Sequence, residues 1–162
     1  MNTDLSFRPV RDDDLPAICT FARTPEELYF LAPRARFPLD VEQLATSIAQ
    51  RSDSSVVCRG AQVLAFANIY KREQGACYVG NVAVAPQARR QGVARFLMQQ
   101  MARLAAERYG ASELRVSCFN PNTAGLLLYS RLGYTPFALE ERVDGQQQPI
   151  VLIHLRLPQP LT

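Results

Sequence analysis

The chain has 162 residues, enough for one domain with a sizeable core, and its 48% hydrophobic and 20% charged residues are ordinary globular usage. No apolar run approaches the ~20 residues of a membrane-crossing helix, so no membrane partner is expected. A net charge of +3, with no basic run interleaved with aromatics, gives no reason to expect a nucleic-acid partner.

The opening Met1-Asn2-Thr3-Asp4-Leu5 has no basic stretch followed by an apolar one, so no secretory leader is expected and a cytoplasmic location is the default. Leu5–Val10 reads as a first strand, and Asp12-Asp13-Asp14 with Pro16 as a helix start, carboxylates lying at the positive end of the dipole. Thr24-Pro25-Glu26-Glu27 has the form of a capping box opening a short helix that carries Tyr29 and Phe30. Asp40 starts another helix, with Val41, Leu44 and Ile48 on one face.

Strands follow over 55–59 and 62–70, joined at Gly60-Ala61 as a hairpin, and over 77–84. The apolar spacing of Val93, Phe96, Leu97, Met101, Leu104 and Ala105 predicts a helix over 93–108 that Gly110 ends. Then come a strand over 113–118, a helix over 123–132, and strands over 136–143 and 150–157 around Asp144-Gly145. The order predicts an α/β (α+β) fold in residues 1–162: one domain, with a mixed sheet of about six to seven strands and helices on both faces.

Residues 1–50 balance at −3 and the remainder at +6, and arginine supplies all the cations but Lys71. Arginine favours bidentate contact with phosphate, so the imbalance suits an anionic ligand on the C-terminal part and a cationic group near the N-terminal part. It also suits a plain solvated face. Cys19, Cys58, Cys77 and Cys118 form no C-x-x-C pair and read as reduced, mostly buried thiols. His154, the only histidine, cannot build a metal site and completes no obvious Ser-His-Asp triad, so it reads as structural or surface.

Asn81 to Arg95 runs as strand, loop and helix, with Arg89-Arg90-Gln91-Gly92-Val93-Ala94 at the junction. A helix N-terminus offers free N–H groups and a positive dipole end, and Gly92 lets backbone approach an anion. Three arginines (Arg89, Arg90, Arg95) at that end oppose the dipole unless an anion lies among them. G-x-x-x-x-G-K-[ST] and G-x-G-x-x-G are both absent.

Arg89-x-x-Gly92-x-Ala94 resembles the Q/R-x-x-G-x-G/A motif of the GNAT superfamily of N-acetyltransferases. Asn122, Leu128-Tyr129 and Gly133-Tyr134 resemble its N-x-x-A-x-x-L-Y-x-x-x-G-F segment, with Gly125 for Ala and Tyr134 for Phe. The likeness extends over residues 1–157, and residues 26–30 and 37–39 resemble one bacterial branch.

The resemblance implies an enzyme that uses acetyl-CoA as cofactor. Loop amides over Arg89, Arg90, Gln91, Gly92, Val93 and Ala94 would hold the pyrophosphate, and the strand at Val82, Ala83 and Val84 the pantetheine arm and the thioester oxygen. In this fold the two strands splay, and Asn120 would reach the pantetheine or the amine. Asn122 would contact the cofactor or cap the next helix.

Tyr129 is the candidate general acid at the departing sulfur, since phenol and thiol have neighbouring pKa values, with a packed aromatic as the alternative. Many relatives carry a carboxylate base where Asn81 stands, so a water held by Asn81, Tyr78 or backbone carbonyls is an alternative. Glu26, Glu27, Tyr29, Phe30 and Phe37 are candidates for the acceptor wall, and equally for core and solvated face. The expected reaction is direct attack by a primary amine of a small molecule or peptide. The alternatives are a non-catalytic acyl-CoA-binding regulator and a protein N-terminal or lysine acetyltransferase. Dimers are frequent in the family, so a homodimer is a further expectation.

Overall fold

Side-chain caps set the helix ends. The Thr24 hydroxyl accepts the Glu27 N–H at 3.0 Å, and the Asp40 carboxylate accepts that of Gln43 at 2.9 Å. Gly110 closes the long helix in the left-handed region at φ 63, where a side chain would be strained. The structure is a computed structural model that describes residues 4–159; the readings on residues 1–3 and 160–162 lie outside the described residues.

The elements in chain order are β1 (Leu5–Pro9), α1 (Leu15–Ile18), α2 (Pro25–Leu31), α3 (Val41–Gln50), β2 (Ser52–Arg59), β3 (Gln62–Glu73) and β4 (Ala76–Val84). They continue with α4 (Val93–Tyr109), β5 (Glu113–Phe119), α5 (Thr123–Arg131), β6 (Thr135–Val143) and β7 (Pro149–Pro158). The acidic run Asp12–Asp14 is a single 3-10 turn leading into α1. Val41 sits at the first position of α3, before the helix meets the sheet, and is 44% exposed rather than packed with Leu44.

The strands form one seven-stranded sheet in the order β1-β2-β3-β4-β5-β7-β6, antiparallel except where β4 meets β5. Neighbouring β5 residues show cover on both faces. Buried Cys118 lies against Gly125 of α5, whereas Ser117 faces a cavity lined by Thr46, Ser47 and Arg51 from α3 and its end. One apolar cluster joins α1, α3, α4, β2–β5 and Leu155 of β7. Cys58, Cys77 and Cys118 are buried free thiols, and Cys19 is half-buried. Among the described residues no helix is long and apolar enough to cross a membrane, and no group of His, Cys, Asp or Glu is placed to hold a metal.

Asp14 fastens the first strand to this core. It is 6% exposed, and its carboxylate accepts two N–H groups of Arg8, at 2.7 and 2.9 Å, and the Arg11 amide at 2.7 Å. The bonds from Arg8 outweigh desolvation and hold this carboxyl below its ordinary value. Asp14 therefore binds its proton more weakly folded than unfolded. Its stabilisation is complete above the ordinary aspartate range and disappears as pH falls through the lowered value. Asp14→Asn is expected to cost ~1–3 kcal/mol at pH 7 and much less in strong acid, measured by urea midpoints at both pH values.

Candidate active site

The site is built on an opening in the sheet. Parallel pairing of β4 with β5 runs from Ala76↔Glu113 to Val79↔Val116 and stops, although β4 continues to Val84 and β5 to Phe119. The break coincides with Asn81, whose φ of 51 lies in the left-handed region, and with a register shift against β3 between Phe66 and Asn68. A bulge of this kind bends and twists its strand. The Ala85 N–H donates to Leu64 of β3 at 2.7 Å, so by strand alternation Val82 and Val84 turn their N–H and C=O groups to the gap, and Ala83 to β3.

Below this edge the chain makes a 3-10 turn at Pro86–Ala88 and then two left-handed residues, Arg90 at φ 63 and Gly92 at φ 79. The first bond within α4 is Phe96 N–H to Gly92 C=O at 3.0 Å. The N–H groups of Val93, Ala94 and Arg95 meet no chain acceptor among the described residues, and a helix N-terminus of this kind favours an anion. Gln91 donates its side-chain N–H to Gln87 O at 2.9 Å.

The three arginines of the loop divide their roles. Arg89 braces the turn: it donates to Glu27 at 3.3 Å, Phe21 O at 3.3 Å and Val84 O at 3.4 Å. Arg90 and Arg95 are exposed and make no ion pair among the described residues. Glu27 is thus part of the loop's support and does not line the acceptor cavity. Desolvation opposes its charge, but the Arg23 amide at 2.6 Å and the Arg89 guanidinium hold it below its ordinary value. Glu26 is exposed and outside the cavity too.

The gap opens into a cavity of about 1070 Å³ between β4–β7 and the α2–α3 region. Tyr129 reaches it from α5. It is 6% exposed and stands edge-on to Tyr134 at 5.7 Å, and its hydroxyl makes no hydrogen bond to a described residue. Burial raises its pKa strongly, so the phenol holds its proton. Cys118, the nearest thiol, is 3% exposed and pushed up to about 11 by burial, which leaves it a poor nucleophile. Gly125 allows this packing: a Cβ there would lie 2.9 Å from Cys118 Sγ and 2.6 Å from Asn122 Nδ2.

The remaining sequence candidates separate. Asn122 lines the cavity and caps α5, its side-chain oxygen accepting the Gly125 N–H at 3.1 Å. Asn120 is exposed and outside the cavity lining; its side chain accepts the Val151 N–H at 2.8 Å and so ties β5 to β7. Asn81 is a clamp. Its oxygen accepts from Asn68 at 2.9 Å and Ser47 at 3.2 Å, and its nitrogen donates to Leu31 O at 2.8 Å. Tyr78 is engaged by Arg115 at 2.6 Å and Glu73 at 3.4 Å. Phe30 lines the cavity, whereas Tyr29 stacks on Phe119 at 4.9 Å and donates to Val143 O at 3.0 Å, outside it. Phe37 is 43% exposed and also outside the lining.

Two features escape the sequence reading. His154 is neither isolated nor at the surface: its Nδ1 lies 2.7 Å from Ser117 Oγ and its Nε2 3.1 Å from Glu140, while Ser117 Oγ lies 3.2 Å from the Tyr70 hydroxyl. All four residues line the cavity. The pairing Ser117↔His154 across β5 and β7, with Glu140 diagonal on β6, brings three of them together, and Tyr70 arrives from β3. The N-terminal part of the wall also carries three arginines, Arg34, Arg36 and Arg51, against two acids, Asp40 and Glu42. Arg51 donates to Asn68 at 3.1 Å and lies over the Tyr70 ring at 5.2 Å, with no carboxylate partner among the described residues.

Gly80 makes room for this group, since a Cβ there would lie 2.6 Å from Tyr70 Cδ1 and 2.8 Å from Arg51 Nη1. Gly80→Ala is expected to destabilise by ~1–3 kcal/mol through overpacking, read as a lower denaturant midpoint with an unchanged slope.

The model of the acetyltransferase (GNAT) family matches residues 13–134. No curated protein matches the chain. Among solved structures, the ribosomal-protein-S18-alanine N-acetyltransferase of Escherichia coli has a TM-score of 0.71 at 22% identity, covering 95% of this chain and 93% of its own. A GCN5-related N-acetyltransferase of Kribbella flavida has a TM-score of 0.75 at 25% identity, covering 98% and 100%. A Salmonella typhimurium acetyltransferase solved with acetyl-CoA has a TM-score of 0.71 at 20% identity, covering 99% and 95%.

Proposed function

The chain belongs to the acetyltransferase (GNAT) family of acetyl-CoA-dependent acyltransferases, and from that premise we propose that it acetylates a primary amine that also carries an anionic group, by direct attack in a ternary complex. The observation that carries the reading is one cavity lined both by Val82 of the open β4 edge and by Tyr129, whose hydroxyl has no partner among the described residues; the free amides opening α4 follow that edge along the chain, outside the lining.

The residues present fit the cofactor. The amides of Val93, Ala94 and Arg95, flanked by Arg90, suit a diphosphate. The gap-facing groups of Val82 and Val84 suit an extended amide-bearing arm and offer a donor to an acyl oxygen. Acetyl-CoA supplies an activated carbonyl and a thiolate leaving group. Tyr129 Oη holds a proton in a buried position from which a leaving sulfur can take it. No cysteine is placed to carry the acyl group, because Cys118 is a buried thiol on the far face from His154.

The wall argues for the acceptor class. A guanidinium stays charged, and desolvation already works against Arg51, so an anion brought beside Arg51 and Arg34 gains more than a second ammonium would. With five cations (Arg34, Arg36, Arg51, Lys71, Arg142) against Asp40, Glu42 and Glu140 in the lining, amino acids and acidic peptides suit the wall better than polyamines do. A cytosolic setting would keep the four thiols reduced.

Release of CoA thiol is to be followed across amino acids, an alanine-terminated peptide, acidic dipeptides and spermidine. Turnover is expected with anion-bearing amines and not with spermidine. Tyr129→Phe is expected to lower turnover by ~10²–10⁴-fold with CoA affinity by calorimetry unchanged. Thiol release from no amine would leave an acyl-CoA-binding regulator instead.

A further inference from the structure

We propose that His154 is the terminal proton acceptor for the attacking amine, reached from the cavity through the hydroxyls of Tyr70 and Ser117 and backed by Glu140. The inference rests on the transferase reading above and adds the base that reading lacks. An alkyl ammonium with a pKa of ~10.4 must lose a proton before it attacks. β4 gives it no carboxylate: Asn81 occupies that place with both side-chain ends engaged, and the Tyr78 hydroxyl is held by Arg115 and Glu73.

The chain of hydrogen bonds has one consistent polarity. Glu140 is an acceptor, held ionised by Arg142 first and then by His154, so His154 Nε2 carries the hydrogen that faces it. Neutral His154 then has its lone pair on Nδ1, which accepts from Ser117 Oγ–H at 2.7 Å. Ser117 Oγ in turn accepts from Tyr70 O–H at 3.2 Å. Burial raises the Tyr70 phenol above its ordinary value, so it serves as a neutral relay and not as a phenolate. A lone pair of Tyr70 Oη remains for an ammonium N–H on the cavity side.

The transfer balances. The ammonium proton goes to Tyr70 Oη, the Tyr70 proton to Ser117 Oγ, and the Ser117 proton to His154 Nδ1. Three bonds to hydrogen break and three form. Both oxygens end neutral, the amine ends neutral, and the imidazolium ends against the Glu140 carboxylate. Glu140 has 45% of its side chain exposed, which gives the proton a route to water through Nε2. The other charged groups around the imidazole are Arg142, paired with Glu140, and Arg115 and Arg156, which lie 4.8 and 5.5 Å over the Phe137 ring. That ring is 6.2 Å from the imidazole. Arg51 over Tyr70 and Lys71 over Tyr78 flank the entrance.

Because His154 is the only histidine, ¹⁵N-histidine labelling reports it without ambiguity. The neutral side chain is expected as the Nε2–H tautomer; an Nδ1–H tautomer overturns the relay, whatever the enzyme does. With the anion-bearing amine of highest turnover from the panel above, kcat/KM is expected to rise with pH along a limb whose midpoint equals the NMR titration midpoint of His154. His154→Gln is expected to abolish that limb and lower the plateau by ~10²–10⁴-fold, with CoA binding and the melting temperature verifying the fold. Ser117→Ala and Tyr70→Phe break the same chain and are expected to flatten the same limb. A limb unchanged in His154→Gln overturns the proposal and leaves a packing role. Thiol release from no amine sinks the transferase reading itself.

Discussion

The opening between β4 and β5 depends on one buried amide. Asn81 stands in the left-handed region, where backbone alone gives a non-glycine residue no advantage, and three hydrogen bonds hold it there. They reach α2 through Leu31, α3 through Ser47 and β3 through the fully buried Asn68. The bulge that frees the lower half of β4 is thereby locked to the elements that wall the cavity. A carboxylate here could accept from Asn68 and Ser47 but could not donate to Leu31 O. The residue type that removes a base from the usual strand is therefore the one that this clamp needs.

Electrostatics divides the molecule in the same place. At the loop, Arg89 is consumed in bracing Glu27, Phe21 and Val84, which leaves Arg90, Arg95 and the backbone amides to face an anion. In the cavity, Arg34, Arg36 and Arg51 come from the half of the chain whose net charge is negative. Of the acids of that half, Asp40 and Glu42 share this lining, and several are engaged by local partners. Asp14 ties down Arg8, Glu27 holds Arg89, and Asp40 caps α3. Net charge along a sequence says little about a wall when local ion pairs and caps absorb one sign of it.

Much of the fold was legible because local rules governed it. The caps at Thr24 and Asp40, the glycine stop at Gly110 and the apolar spacing of α4 act within a few residues of themselves. The loop motif also marked the start of α4 at Gly92, since a helix start is a local feature. Registers and bulges were not legible. Glu26 and Glu27 read as acceptor-wall candidates because nothing in the sequence shows Glu27 meeting Arg89, 62 positions away. Asn120 carried no visible sign that β7 would engage its side chain. His154 read as structural or surface because Ser117 and Glu140 reach it only through the pairing of three strands. Periodicity reports which face a residue takes and is silent about what stands opposite.

The alternation of β5 explains how two proton carriers can serve one cavity without meeting. Cys118 points to the α5 side, where its packing with Gly125 lets the helix bring Tyr129 to the gap. Ser117, one residue earlier, points to the other face and to His154. In the proposed chemistry the sulfur is protonated from one face of the sheet and the amine deprotonated from the other. An acid and a base in direct contact would exchange the proton between themselves. Tyr129 makes no hydrogen bond to Tyr70, Ser117 or His154, so in the proposed chemistry each acts on what lies in the gap, and the gap exists only where β4 and β5 have parted.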